Sequence, residues 1–160
     1  MQAGTKKWDK VVVPLMTVGG PLLMFTGAGL DFRWHGLRFP IWVTIAGLLV
    51  ALAGVAVTAT AMYANRFFAS TVRIQTDRGQ VVVSDGPYGI VRHPGYVGMA
   101  LSYLCMPVAL GSVWALLPAV LTVLLLVFRT VLEDRTLQKE LSGYSQYAES
   151  VPYRLLPGIW

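Results

Sequence analysis

The chain has 160 residues, 55% of them hydrophobic and only 13% charged, whereas soluble domains carry about 25% charged residues; an ordinary water-soluble domain is excluded. The formal charge of +5 does not indicate nucleic acid, because the basic residues lie scattered between apolar blocks and form no patch interleaved with aromatics. The single cysteine, Cys105, sits in an apolar run, excludes an internal disulfide and a Cys-based zinc site, and reads as a packed, inert thiol.

A length of 160 residues predicts one domain, and a mean hydropathy of +0.58 places it in a membrane. A membrane-crossing helix needs about 20 apolar residues, and four blocks approach that length. Residues 11–30 are uncharged, but Pro14, Gly19, Gly20, Pro21, Gly27 and Gly29 punctuate them. Such breakers are tolerated where adjacent helices satisfy the freed backbone, so a kinked span is expected. Its length and the lack of a small-x-small cleavage site predict a retained span, not a cleaved leader. Residues 39–63 form the cleanest block, with Gly47 and Gly54 offering faces for close helix packing.

A loop follows. Within it, residues 71–75 and 80–84 flank Asp77-Arg78-Gly79, which suggests a short hairpin or extended pair. Ser84-Asp85-Gly86-Pro87 signals a turn. Residues 96–110 and 114–128 are separated by three residues and read as a tight helical hairpin, with Trp114 as an interfacial anchor. Beyond it, Leu132, Leu137, Leu141 and Tyr144 recur at near-helical spacing among charges. That pattern predicts an amphipathic surface helix interrupted at Ser142-Gly143. The expected architecture is therefore an all-α polytopic bundle of about four transmembrane helices with an amphipathic C-terminal segment.

With four crossings, eleven of the basic residues share one side, and only Arg33 and Arg38 face the other. By the positive-inside rule the first group is cytoplasmic, which predicts a multi-pass protein of the cell inner membrane with its polar loop inside. The distinctive segment of that loop reads Gly86-Pro87-Tyr88-Gly89-Ile90-Val91-Arg92-His93-Pro94-Gly95-Tyr96-Val97-Gly98. It is a turn, a polar pair and a proline suited to the first turn of a helix. Unpaired N–H groups at a helix start favour anions, and Arg92 adds a permanent charge able to bind a carboxylate. A second polar cluster, Arg129 with Glu133, Asp134 and Arg135, falls where the fourth apolar block meets the same membrane face. Its acids could accept hydrogen bonds from a ligand or pair with Arg92; a solvated helix end is the plain alternative.

The ordered series Arg92-His93-Pro94-Gly95-Tyr96-Val97-Gly98, an apolar hairpin, then Glu133-Asp134, resembles the isoprenylcysteine carboxyl methyltransferase family, including bacterial phospholipid-methyltransferase-like proteins. Gly86-Pro87-Tyr88 upstream, Gly143-Tyr144 with Tyr147 downstream, and residues 151–157 fit the same pattern. The resemblance covers residues 64–160. It implies a catalytic part over 64–160 preceded by N-terminal spans over 1–63, with S-adenosylmethionine (SAM) bound at the cytoplasmic face. It implies further that His93, Pro94 and Tyr96 line the cofactor pocket with Arg92 nearby. Glu133 and Asp134 would hold the cofactor's polar groups or position the acceptor. Tyr88, Tyr144 and Tyr147 would close the pocket, an aromatic face suiting a sulfonium, and Arg154 would orient an anionic acceptor. Arg92, Glu133 and Arg154 form the expected catalytic set.

Two departures stand out: the family commonly has two adjacent glutamates where this chain has Glu133-Asp134, and its N-terminal region is often longer. No metal and no nucleic acid are expected, and the acceptor is a membrane lipid or other lipophilic molecule. Two competing readings are an NADPH-dependent membrane reductase, because sterol reductases resemble this family in their C-terminal half, and a non-enzymatic membrane protein.

Overall fold

The computed structural model describes residues 4–160. All regular structure among them is helical, and three helical stretches are long and apolar enough to cross a membrane: Asp9–His35, Ile41–Ala64 and Leu116–Glu140. The first is built from α1 (Asp9–Pro14), a π-helical turn (Leu15–Gly19) and α2 (Gly20–His35). The helical stretch continues through Pro14 and Pro21, and a π-turn lies between them. Gly20 N–H reaches back to the Leu15 carbonyl. The next residue, Pro21, has no N–H to give the Met16 carbonyl, and the Tyr103 hydroxyl donates to that oxygen instead at 3.0 Å.

Helix α3 (Ile41–Ala64) begins directly after Pro40, and α4 (Pro94–Ala109) begins on its own proline. These two helices make the most extensive contact in the molecule, and glycines explain it. A methyl group added at Gly54 would lie 2.6 Å from the Gly98 carbonyl oxygen, and one at Gly98 would collide with the Gly54 carbonyl. With backbones this close, Ser102 Oγ donates to the Ala51 carbonyl at 3.0 Å and Thr58 Oγ1 to the Gly95 carbonyl at 3.2 Å. At 16 residues, α4 is about 24 Å long.

Helix α5 (Leu116–Glu140) is a single element. Leu132 and Leu137 therefore lie on its polar end and not on a separate surface helix, because no breaker stands between Phe128 and Glu140. The interruption falls at residues 141–143, where Gly143 takes φ 81° and starts α6 (Tyr144–Ser150).

The expected extended pair does not form a ladder. Residues 76–78 make a 3₁₀ turn closed by Gln80 N–H to the Gln75 carbonyl. The backbone of the first arm is used elsewhere: Val72 accepts from Lys6 N–H and donates to the Asp9 carboxylate. That leaves no row of groups for a strand partner.

The surface is apolar and the interior holds charge. Leu22, Leu49 and Trp42 are 62–70% exposed, while Asp9, Asp31 and Asp134 are fully buried. At one end Asp31 accepts from Ser112 Oγ at 2.8 Å and from the N–H groups of Val113 and Trp114, so the turn between α4 and α5 is clasped to the end of α2. His35 and Arg38 complete this cluster. Trp34 and Trp114 pack beside this cluster with ring planes tilted by 58° and centroids 5.4 Å apart, a pair suited to the membrane interface.

Substituting Gly98→Ala should force α3 and α4 apart. Overpacking of this kind costs about 1–3 kcal/mol, so thermal unfolding in detergent should show a clearly lowered midpoint, whereas Gly29→Ala, where an added methyl meets nothing, should not.

Candidate functional site

At the end opposite Asp31, the loop between α3 and α4 folds over the start of α4, the polar end of α5 and α6. Together they enclose a polar cleft. Tyr88, Arg92, His93, Tyr96, Glu133, Tyr144 and Tyr147 line it, with Phe67, Phe68 and Gln75 from the covering loop. Pro94, Asp134 and Arg154 stand behind this lining, outside the cleft wall.

Asp134 is the hub of the rear shell. Its two oxygens accept from Arg92 Nε (2.8 Å) and Nη2 (3.1 Å), Arg154 Nε (2.8 Å), Gln138 Nε2 (2.8 Å) and the Tyr144 hydroxyl (3.0 Å). His93 Nε2 lies 3.4 Å away. Arg92 turns its remaining nitrogen to the carbonyls of Val151 (2.8 Å), Pro152 (3.0 Å) and Ala148 (3.3 Å). The backbone N–H groups of Arg92 and His93 bond the carbonyls of Tyr153 and Arg154. The helix start thus holds the C-terminal segment, whereas the sequence pattern suggested an exposed anion.

In front of this shell, His93 stacks on Tyr96 with 4° between ring planes and 5.5 Å between centroids. The Tyr96 hydroxyl donates to Glu133 and accepts from Arg129. Glu133 is partly exposed, and its second oxygen accepts no hydrogen bond among the described residues. Tyr147 donates to the Tyr88 carbonyl at 2.7 Å, closing the far wall. Burial pushes the Tyr144 phenol well up, and the Asp134 carboxylate adds to it. The Tyr147 phenol rises mainly through burial, opposed by Arg92.

A second cavity adjoins the first. An apolar groove, roomier than the cleft, opens between the first helix and α3, floored by Tyr96, Met99 and Tyr103 of α4. Phe68, Ala69 and Tyr96 line both spaces. The hydroxyls of Thr17, Thr58, Ser102 and Tyr103 in the groove all donate to backbone carbonyls, so polarity remains only at its cleft end, where Arg129 and Ser70 sit. Sequence reasoning placed Arg129 in the right cluster without giving it a role, and it did not single out Asp9, which pairs with Arg129 at 2.8 Å. The available signal was a lone acid at the head of a long uncharged span.

A polar cleft at one end of a helical bundle, adjoining an apolar groove at Phe68, Ala69 and Tyr96, fits a membrane protein family. Residues 42–143 match the phospholipid methyltransferase family model, and the chain belongs to that family. It is also similar to a Delta(14)-sterol reductase of Methylotuvimicrobium alcaliphilum, 31% identical over 140 residues, covering 79% of this chain and 33% of the relative. It is similar as well to the Delta(14)-sterol reductase TM7SF2 of Mus musculus, 33% identical over 91 residues, 54% of this chain and 22% of the relative. The chain thus spans a third or less of the length of these relatives.

Two outcomes follow from the rear shell. Asp134→Asn leaves Arg92 and Arg154 without their counter-charge. Breaking a buried pair from one side costs about 3–5 kcal/mol, so limited proteolysis should cut after residue 150 in the variant before it cuts the parent. In alkaline titration, Tyr144 and Tyr147 ionise in the folded state above the ordinary value of 10.0. Their contribution to stability is complete below pH 10 and is lost as pH rises through their folded values. Absorbance near 295 nm should show these two ionising together with release of the C-terminal segment.

Proposed function

We propose that the protein is a SAM-dependent methyltransferase of the isoprenylcysteine carboxyl methyltransferase-like branch, passing a methyl group to a lipophilic acceptor at the cytoplasmic membrane face. In this reading α4 and α5 cross as a hairpin, making four crossings with the first helix and α3. The turn between them meets the α2–α3 loop at Arg38 N–H to the Gly111 carbonyl, 2.9 Å, which supports that count. The basic residues gathered near the cleft support its cytoplasmic orientation.

The observation that carries the reading is the charge state of the cleft wall. Its arginines are engaged: Arg92 with Asp134 and three carbonyls, and Arg73 with Asp77 at 2.8 Å. Glu133 keeps a carboxylate oxygen open. A wall of paired cations, a half-open carboxylate and four tyrosines suits a cationic ligand. It suits poorly a dinucleotide with three phosphate groups. SAM supplies an already activated methyl group, so the protein's work is orientation. Glu133 would hold a hydroxyl or ammonium group of the cofactor, His93 and Tyr96 would pack against it, and Tyr88, Tyr144 and Tyr147 would exclude water. Arg92, Asp134 and Arg154 would act by fixing that wall. The acceptor would enter the groove from the bilayer and meet the cofactor beside Tyr96, where the cavities join.

A second reading, an NADPH-dependent reductase, rests on the names of the two relatives. Calorimetric titration of the detergent-solubilised protein with SAM, S-adenosylhomocysteine and NADPH separates the two. SAM and S-adenosylhomocysteine should bind, and NADPH should not; tight NADPH binding alone would reverse the assignment. A hydrogen bond to a charged group contributes about 1.5–3 kcal/mol, so Glu133→Gln should weaken SAM binding roughly 10- to 100-fold.

A further inference from the structure

We propose that Asp9 is a positioning residue of this site, fixing through Arg129 and Val72 the partition between the polar cleft and the apolar groove. The identity of the cleft's ligand rests on the methyl-transfer reading; the partition itself does not.

Asp9 occupies the first turn of α1 and is fully buried. One oxygen accepts from Arg129 Nε on α5 at 2.8 Å, and the other from Val72 N–H in the covering loop at 2.6 Å. Those partners lie 120 and 63 residues away in sequence. Each is a wall element. Arg129 lines the groove, donates to the Tyr96 hydroxyl, and holds the Ser70 carbonyl with Nη2 at 2.9 Å. Its guanidinium carbon lies 5.1 Å from the Tyr96 ring centre. Val72 lines the cleft. A single carboxylate therefore sets the height of the covering loop and the reach of Arg129 beneath Tyr96, while touching neither cavity.

Both functions need an ionised group with two acceptor oxygens. An asparagine in this place would present one acceptor and an amide N–H that opposes one of the two donors. The family match begins at residue 42, so Asp9 brings into the site a helix outside the matched region. Asp31 provides the comparison: it is as deeply buried and as fully bonded, but it clasps the far end, and its partners Ser112, Val113 and Trp114 line neither the cleft nor the groove.

The test is a double-mutant cycle read on S-adenosylhomocysteine affinity in detergent, with hydrogen exchange followed by mass spectrometry on the same samples. Asp9→Asn should speed exchange across residues 69–73, leave α6 unchanged and weaken S-adenosylhomocysteine at least 10-fold. Arg129→Gln should weaken it similarly, and the double variant should be no weaker than Arg129→Gln alone. Asp31→Asn should lower the unfolding temperature and leave affinity unchanged. Should Asp9→Asn fail to fold, the double variant removes both charges and carries the test, binding as weakly as Arg129→Gln. Faster exchange with undiminished affinity would reduce Asp9 to a structural clasp and overturn the proposal, as would additive losses in the double variant. A parent that binds NADPH and not S-adenosylhomocysteine defeats methyl transfer; the same cycle, read on NADPH, then tests Asp9 by the same criteria. A parent that binds neither overturns both.

Discussion

The carboxylate of Asp134 is the interaction on which the site depends. Buried charge is costly unless it is paired and hydrogen-bonded, and here donors arrive from Arg92, Gln138, Tyr144 and Arg154, with His93 adjacent. Those side chains come from the start of α4, from α5, from α6 and from the C-terminal segment. Apolar contacts also hold these pieces, Tyr144, Tyr147 and Val151 packing with Leu141 and Leu155 with Tyr96 and Leu126. The hub adds direction to that packing: Arg92, His93 and Tyr144 converge on Asp134 and stand together in the cleft wall.

A mechanical frame supports the hub. The Gly54–Gly98 approach joins α3 to α4 backbone to backbone, and Asp31 fastens the α4–α5 turn to α2. Every buried side-chain polar atom among the described residues has a partner. That completeness matters most in lipid, where no solvent is present to satisfy what the protein leaves open. The same economy governs the first helix, where the Tyr103 hydroxyl takes the place of the N–H that Pro21 lacks.

Much of this was legible in the sequence. The four apolar blocks became helices, and Tyr96, His93 and Glu133 were expected together and are together. Boundaries failed where polar residues continue a helix: the 114–128 block runs on to Glu140 because Arg129, Thr130 and Asp134 find partners inside the protein. Hydropathy treats such residues as an end. The expected strand pair failed because the partners of its first arm lie at residues 6 and 9, which no local pattern reveals. The partners of Asp9 and Asp31 were hidden for the same reason. An isolated acid at the end of a span has no periodicity, and its partner can lie 120 residues away. Arg92, by contrast, was visible as a residue, but its engagement with Asp134 and three carbonyls is a property of the folded chain alone.

The groove between the first helix and α3 is a seam between two packed pairs. α3 rests chiefly on α4, and the first helix chiefly on α5, while Tyr96, Met99 and Tyr103 floor the space between them. Whatever occupies the seam touches both pairs at once, and it meets the polar cleft only at Phe68, Ala69 and Tyr96.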